Sequence, residues 1–180
     1  VLMSLSNVPK TGVDGTIKLI DGTSVTPLDL TLRFYMGDWN LTGLVPGGRE
    51  SVVIEGRGKT RGLRKGKVKF PTVSLSAHAA ELTETGTGTL LDWVYKTTGT
   101  PFASRAKTHS IGDLDTTNIQ LTIEGTDHGD GADHVVWLGD VSFEVTHQQG
   151  EDGDKFSIQG TVYGNIKLNG TTVHTAPRET

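Results

Sequence analysis

A chain of 180 residues is long enough for one domain with a sizeable buried core, so it needs neither a disulfide nor a metal to fold. Cysteine is absent, which excludes a disulfide framework, a thiol nucleophile and a thiolate metal site. The net charge of -4 is ordinary, but its distribution is not: every charge from Gly56 to Lys67 is positive, whereas Thr108 to Asp154 holds no Lys or Arg while Asp and Glu accumulate.

An asymmetry of that kind concerns partners rather than fold. No run approaches the roughly 18–20 apolar residues of a membrane helix. Val1 to Lys10 lacks a basic segment ahead of an apolar core, so no signal peptide is expected.

Glycine, at 24 residues, is nearly twice its usual share of about 7% and falls mostly between short apolar alternations, as turns do in a β-rich domain. No repeat and no Pro- or Ser-rich linker divides the chain. One domain over 1–180 is expected, with an N-terminal arm at 1–15, a β core at 16–170 and a C-terminal tail at 171–180. A short strand at Ile17 to Ile20 leads across Asp21-Gly22 to Leu28, Leu30, Leu32 and Phe34. That alternation lines one face of a strand. Ser51 to Glu55 predicts another strand. Val73, Leu75, Ala77 and Ala79 alternate again, with Val68 and Phe70 in the opposite phase and Pro71 marking a bulge or an edge where the phase changes.

One segment breaks the β pattern. Thr89 and Asp92 form a capping-box variant, Leu90, Leu91, Val94 and Tyr95 recur at helical spacing, and Gly99 and Pro101 stop the run. The spacing predicts one short helix over 89–98. Three apolar runs follow: Ile119 to Ile123, then Val135 to Val145, then Phe156 to Leu168 with Gly160 and Gly164 on the same face. Short polar connections favour an antiparallel meander, because a parallel pair needs a crossover of a dozen or more residues. The fold class expected is mainly β, an antiparallel sandwich or barrel-like core with one short flanking α-helix, extended terminal arms and a long loop.

The chemistry on offer is sparse. Asp127 to His134 puts carboxylates and imidazoles close together, but spacing by three does not match an EF-hand loop, and a hairpin turn is expected there. No serine sits in a strand-turn-helix elbow. His78 lies alone in a strand, and nothing in the sequence pairs Glu81 with Glu84 as a glycosidase would require. No catalytic residue, metal site or cofactor is therefore assigned, and no enzyme is expected. The basic run Arg57, Lys59, Arg61, Arg64, Lys65 and Lys67 is not a Walker A motif. It could neutralise phosphates, but no aromatic residues are interleaved to stack on bases. A flexible, solvated hairpin loop is the plain alternative. The reading favoured here is an inter-subunit contact, in which the basic run docks on the acidic second half of another copy of the same chain.

The order of these features resembles the major tail tube proteins of long-tailed bacteriophages, within the superfamily that includes the type VI secretion ring protein. The likeness is carried by Arg57-Gly58, Lys65-Gly66 and Pro71 with the strand to Ala79, and by the helix with Leu91, Trp93 and Val94. It implies six copies closing into a ring with a continuous inner β-barrel, and rings stacking into a hollow tube that conducts DNA during ejection without sequence-specific binding. It also implies a virion tail assembled in the host cytoplasm. The partners would be the chain itself, a tape measure in the lumen, and terminator and baseplate or tip proteins, with no membrane. The Arg57 to Lys67 loop and the two terminal segments would reach neighbours, and an acidic lumen would let DNA slide. Two alternatives stand beside it: another virion or type VI ring component, and a carbohydrate-binding β-sandwich using Trp39, Trp93 and Trp137.

Overall fold

The computed structural model describes residues 15–78, 88–109, 112–123, 133–150 and 153–175. The alternating runs become strands, because side chains of period two can bury one face while the other stays polar. The strands are β1 (Thr16–Ile20), β2 (Asp29–Thr42), β3 (Arg49–Gly56), β4 (Lys59–Val68), β5 (Thr72–His78), β6 (Thr117–Ile123), β7 (His134–Gly150), β8 (Gly153–Val162), β9 (Ile166–Leu168) and β10 (Thr171–His174). Every pairing among them is antiparallel. The order is not a simple meander, since β1 also pairs with β6, and β5 lies between β2 and β8.

The run β7-β6-β1-β2-β5-β8 closes on itself through a β7–β8 pairing, giving a six-stranded antiparallel barrel to which β9 and β10 add beyond β7. Closure requires two strands to change partner along their length. In β2, Asp29–Arg33 pairs with β1, and Phe34 to Thr42 pairs with β5 across a register shift between Phe34 and Trp39. In β7, His134 to Val141 pairs with β6, and Val141 to Gly150 pairs with β8. The β7 switch is sharp. Asp140 adopts φ 48°, its amide donates to Asn118 Oδ1 at 3.0 Å, and its carbonyl accepts from the Tyr163 amide at 3.1 Å. A Cβ on Gly164 would lie 2.6 Å from the Gly139 carbonyl carbon, so the two backbones approach as only glycine permits.

The interior is filled by the residues that alternate in the sequence: Ile17 and Leu19, Leu30, Leu32 and Phe34, Val73, Leu75 and Ala77, Ile119 and Leu121, Phe156 and Ile158. The helix α1 (Leu90–Tyr95) packs on this core, with Leu90 and Trp93 joining it together with Phe102. Trp93 meets Phe102 edge-on at 4.9 Å and donates from Nε1 to Thr117 Oγ1 at 3.3 Å. The buried Arg105 donates from Nε to the Trp93 carbonyl and forks onto Asp115 at 2.9 and 2.7 Å.

The capping box is present in both directions, with the Thr89 amide donating to Asp92 Oδ2 at 2.8 Å and the Asp92 amide to Thr89 Oγ1 at 3.2 Å. Donation from the Thr89 amide, then from the Thr97 and Thr89 hydroxyls, holds the Asp92 carboxyl below its usual value. The helix is shorter than the 89–98 expected. It stops at Lys96, which takes the left-handed conformation at φ 50° in place of the expected Gly99. Two other expectations change. The single run from Phe156 to Leu168 is two strands, broken where Tyr163 to Asn165 meets the β7 switch, and the expected tail at 171–180 begins as strand β10. The arm at 1–15 lies outside the described residues save for Gly15.

Asp21, at the end of β1, ties three segments together. Its carboxylate accepts from the Leu28 amide (2.8 Å), the Ala106 amide (3.0 Å), and the Thr23 amide and hydroxyl (3.1 and 2.6 Å). Burial pushes this carboxyl up, but the Thr23 hydroxyl and the Ala106, Thr23 and Leu28 amides outweigh it, and the group titrates below its ordinary value. A depressed folded pKa stabilises the fold above the unfolded value and loses that contribution as pH falls through the folded one. Asp21→Ala should therefore cost about 3 kcal/mol at pH 7, since it orphans buried amides. Denaturant titrations should show the gap between variant and parent narrowing below about pH 4.

Candidate functional site

Among the described residues, those that carry chemistry in the sequence are not brought together. Among the described residues no three His, Asp, Glu or Cys side chains converge as metal ligands. His78 sits exposed at the end of β5, with its ring edge-on to Tyr35 at 5.1 Å. Glu81 and Glu84 lie outside the described residues, as does the Asp127 to His134 loop apart from Asp133 and His134. The three tryptophans do not form a stacking surface: Trp93 is fully buried, and Trp39 and Trp137 are half-buried, Trp39 against the core.

The basic segment is not a loop. β3 and β4 form a two-stranded hairpin, a sheet separate from the barrel, turning at Arg57 (φ 53°) and Gly58 (φ 73°). Arg57, Lys59, Arg61, Arg64, Lys65 and Lys67 are all exposed on it, and none forms an ion pair with a described residue. The hairpin also holds Val52, Val53, Ile54 and Leu63 at 46, 49, 46 and 75% exposure. Val53 and Leu63 are cross-strand partners, while Val52 and Ile54 fall on the other face, so both faces carry exposed apolar side chains. An isolated hairpin is marginal in water, and contiguous exposed apolar surface marks a contact site. The sequence foresaw β3 at Ser51 to Glu55 and a hairpin loop after it, but not the regular strand β4, because neither of its faces is buried and no apolar alternation is imposed.

The described acidic residues of the second half lie on separate elements. Asp115 lies at the helix end, held by Arg105 and by Lys96 at 3.6 Å; Asp140 is at the β7 switch, Glu144 on β7 and Asp154 on β8.

The second feature went unread in the sequence. Beyond the partner switches, β2, β5, β8 and β7 form a four-stranded sheet whose inner face is core and whose outer face is polar. Register places Thr42, Thr72, Thr161 and Ser142 in one row across it, and Asn40, Ser74, Gln159 and Glu144 in the next. The Thr42 and Thr72 hydroxyls are 2.8 Å apart. These residues line a shallow hollow of about 480 Å³.

Both edges of this sheet are open: Trp39–Thr42 pairs only with β5, and Ser142 to Gln149 only with β8, among the described residues. The Val162 amide donates to the Pro71 carbonyl at 2.8 Å, toward β5. Backbone groups alternate sides along an antiparallel strand. Alternation from that bond directs Ser142, Glu144, Thr146 and Gln148 toward β8, and Phe143, Val145, His147 and Gln149 to the open side. The same reasoning turns Trp39 and Leu41 outward on β2. Protected edges are short or carry Lys or Pro. These carry neither, and Glu144 is the one charge on them.

No protein-family model and no curated protein matches the chain. Solved structures do. A chain of the PVC extracellular contractile injection system, sheath/tube terminator in the extended state, aligns at TM-score 0.50 and 11% identity over 94% of this chain and 99% of that one. A chain of the six-fold symmetrised baseplate of the anti-feeding prophage aligns at TM-score 0.50 and 9% identity, over 93% and 98%. Hcp1 from Flavobacterium johnsoniae aligns at TM-score 0.43 and 9% identity, over 89% and 98%. At such identities the first two matches establish the fold alone.

The hairpin leaves and rejoins the barrel at one point, where the Lys69 amide donates to the Gly48 carbonyl at 2.9 Å. Replacing residues 49–68 by a short glycine linker should therefore leave the barrel folded, with a circular dichroism melt within a few degrees of the parent. A molten or unfolded product would show that the hairpin is part of the core.

Proposed function

We propose that this chain is a non-catalytic structural subunit that closes with copies of itself into rings and stacks them into a tube, as the conduit of a phage tail or a related contractile injection particle. The observation that carries the reading is the four-stranded sheet with two open, unguarded edges. Its outer strands, β2 and β7, run antiparallel to each other, because each neighbouring pair between them is antiparallel. A rotation about an axis lying along the strands preserves strand direction. The open edge of β7 in one copy then meets β2 of the next in the same antiparallel sense as every pair inside the sheet. The contact is heterologous, so it closes when the rotation divides a full turn, and six copies is the number the fold likeness suggests. The two matched assemblies, a sheath/tube terminator and a six-fold symmetrised baseplate, are particles of the kind proposed.

The hairpin serves the second direction of assembly, ring on ring. Its apolar faces would lose their exposure on docking, and its cations would meet carboxylates of an adjacent copy. Passage of DNA through the tube, a tape measure within it and terminal proteins at its ends belong to the same reading. A carbohydrate-binding module has no support in the geometry, since no aromatic ring faces the polar hollow.

Negative-stain imaging over a protein concentration series should show rings or tubes about 100 Å wide, the scale of six such domains around a channel. His147→Pro removes an outward amide without touching a β7–β8 bond and should abolish rings while the monomer stays folded. Charge reversal of Arg61, Arg64 and Lys65 to Glu should leave rings and prevent stacking. A protein that remains monomeric at every concentration would refute the proposal.

A further inference from the structure

The chain has five asparagines, and only Asn169 is followed by glycine. Asn7, Asn40, Asn118 and Asn165 precede Val8, Leu41, Ile119 and Ile166, whose bulky side chains crowd the amide nitrogen that follows the asparagine. Glycine has no Cβ, which leaves the Gly170 nitrogen open to the side chain before it. Asn169 and Gly170 form the turn between β9 and β10, with φ 46° and 81°. Positive φ at both central residues marks a type I′ hairpin, the turn this dipeptide favours. Leu168 and Thr171 are the paired residues on either side, so the ladder bonds are theirs and the Gly170 amide lies outside the ladder. Both turn residues are exposed, and a Cβ on Gly170 would meet nothing within 4 Å. Water and base reach this nitrogen.

Asn169 also ties the turn to the barrel. Its amide donates to the Val135 carbonyl and its Oδ1 accepts from the Val135 amide, both at 2.8 Å. The hairpin held in this way is slight. β9 has three residues and β10 four, β10 pairs only with β9 among the described residues, and their register slips between Thr172 and His174. Short strands at the end of a sheet open locally at little cost.

We propose that Asn169 is a modification site, at which the chain deamidates spontaneously and one of the two products releases β10. With the turn open, the Gly170 nitrogen gives its proton to base and attacks Asn169 Cγ. Ammonia leaves as the new C–N bond closes a cyclic succinimide. Water then opens the ring in either of two ways. Cleavage at Cγ yields aspartate, cleavage at the main-chain carbonyl of residue 169 yields isoaspartate, and in both the net change is water taken up for ammonia lost. Aspartate keeps the main chain and an acceptor for the Val135 amide, so the turn survives. Isoaspartate runs the main chain through the side-chain carbon and lengthens the loop by a methylene. Loop length and turn type fix hairpin register, so Leu168 and Thr171 no longer face each other as a type I′ turn requires.

Peptide mapping by mass spectrometry, with the native protein held in mildly alkaline buffer, tests the site. Conversion of amide to acid should appear at Asn169 before any other asparagine. Urea too dilute to unfold the barrel should speed it, because opening of the turn gates the attack. Asn169→Asp copies the first product and should keep the parent's amide protection from Thr171 to His174. The isoaspartyl fraction, separated by chromatography, should lose that protection while the amides shared by β5 and β8 keep theirs.

Deamidation that begins at another asparagine, or an Asn169 that keeps its amide in the native protein and loses it only in the unfolded chain, overturns the site. Isoaspartyl protein with β10 still protected overturns the release, and so does Asn169→Asp with that protection gone, since the two products would then not differ.

Discussion

The architecture depends on a single constraint: β2 and β7 must each serve two sets of neighbours. A barrel of six strands closes only if its longest strands bend across from one sheet to the other. In β7 the bend is made where Asp140 takes a left-handed conformation and Gly139 and Gly164 cross at a distance that admits no Cβ. In β2 it is made by the shift between Phe34 and Trp39. Each switch spends one edge of the strand and leaves the other edge open. The same geometry that seals the core therefore creates two unpaired edges on one sheet, running in opposite directions. Closure within the copy, and the continuation between copies proposed above, rest on the same two bends.

Around that frame the rest of the molecule divides by how firmly it is held. The helix α1 is fixed by its capping box, by the Trp93 indole bonded to Thr117 and by Arg105, whose buried guanidinium is satisfied by the Trp93 carbonyl and the Asp115 carboxylate. A buried charge is tolerable only when paired and hydrogen-bonded in this way. Asp21 does the same for the segment around Ala106. The hairpin is the opposite case, with ladder hydrogen bonds but no core of its own, and apolar residues on both faces. Such an element contributes little to the stability of one copy, and its exposed valines, isoleucine and leucine are what the proposed contact with another copy would cover.

Much of the barrel was legible because burial imposes period two: Ile17 and Leu19, Leu30, Leu32 and Phe34, Val73, Leu75 and Ala77, and Ile119 and Leu121 are all buried in the core as the alternation requires. The helix was legible through Thr89 and Asp92, although its end was not, since Lys96 accepts a left-handed conformation that glycine would have signalled. Two things escaped. The break between β8 and β9 hides behind a continued alternation, because Gly164 is buried by backbone crossing rather than by an apolar side chain. The polar face escaped because threonine, serine, asparagine and glutamine at every second position look like any solvated side of a sheet. Only the register, which lines them up across four strands, and the open edges beside them distinguish that face from an ordinary surface. The basic run lies exposed on the hairpin, and the described acids of the second half, Asp115, Asp140, Glu144 and Asp154, lie on separate elements.

The claim at the centre of this account is that the outer edges of β2 and β7 are open in one copy and paired between copies. Amide hydrogen exchange resolved by residue, compared between dilute monomer and assembled particles, tests it most directly. The account predicts fast exchange in the monomer at Phe143, Val145, His147 and Gln149 and at Trp39 and Leu41, alternating with protected neighbours that bond to β8 and β5. On assembly those same amides should become protected together. Edge amides that stay fast in the assembled particle, or that are already protected in the monomer, would contradict it.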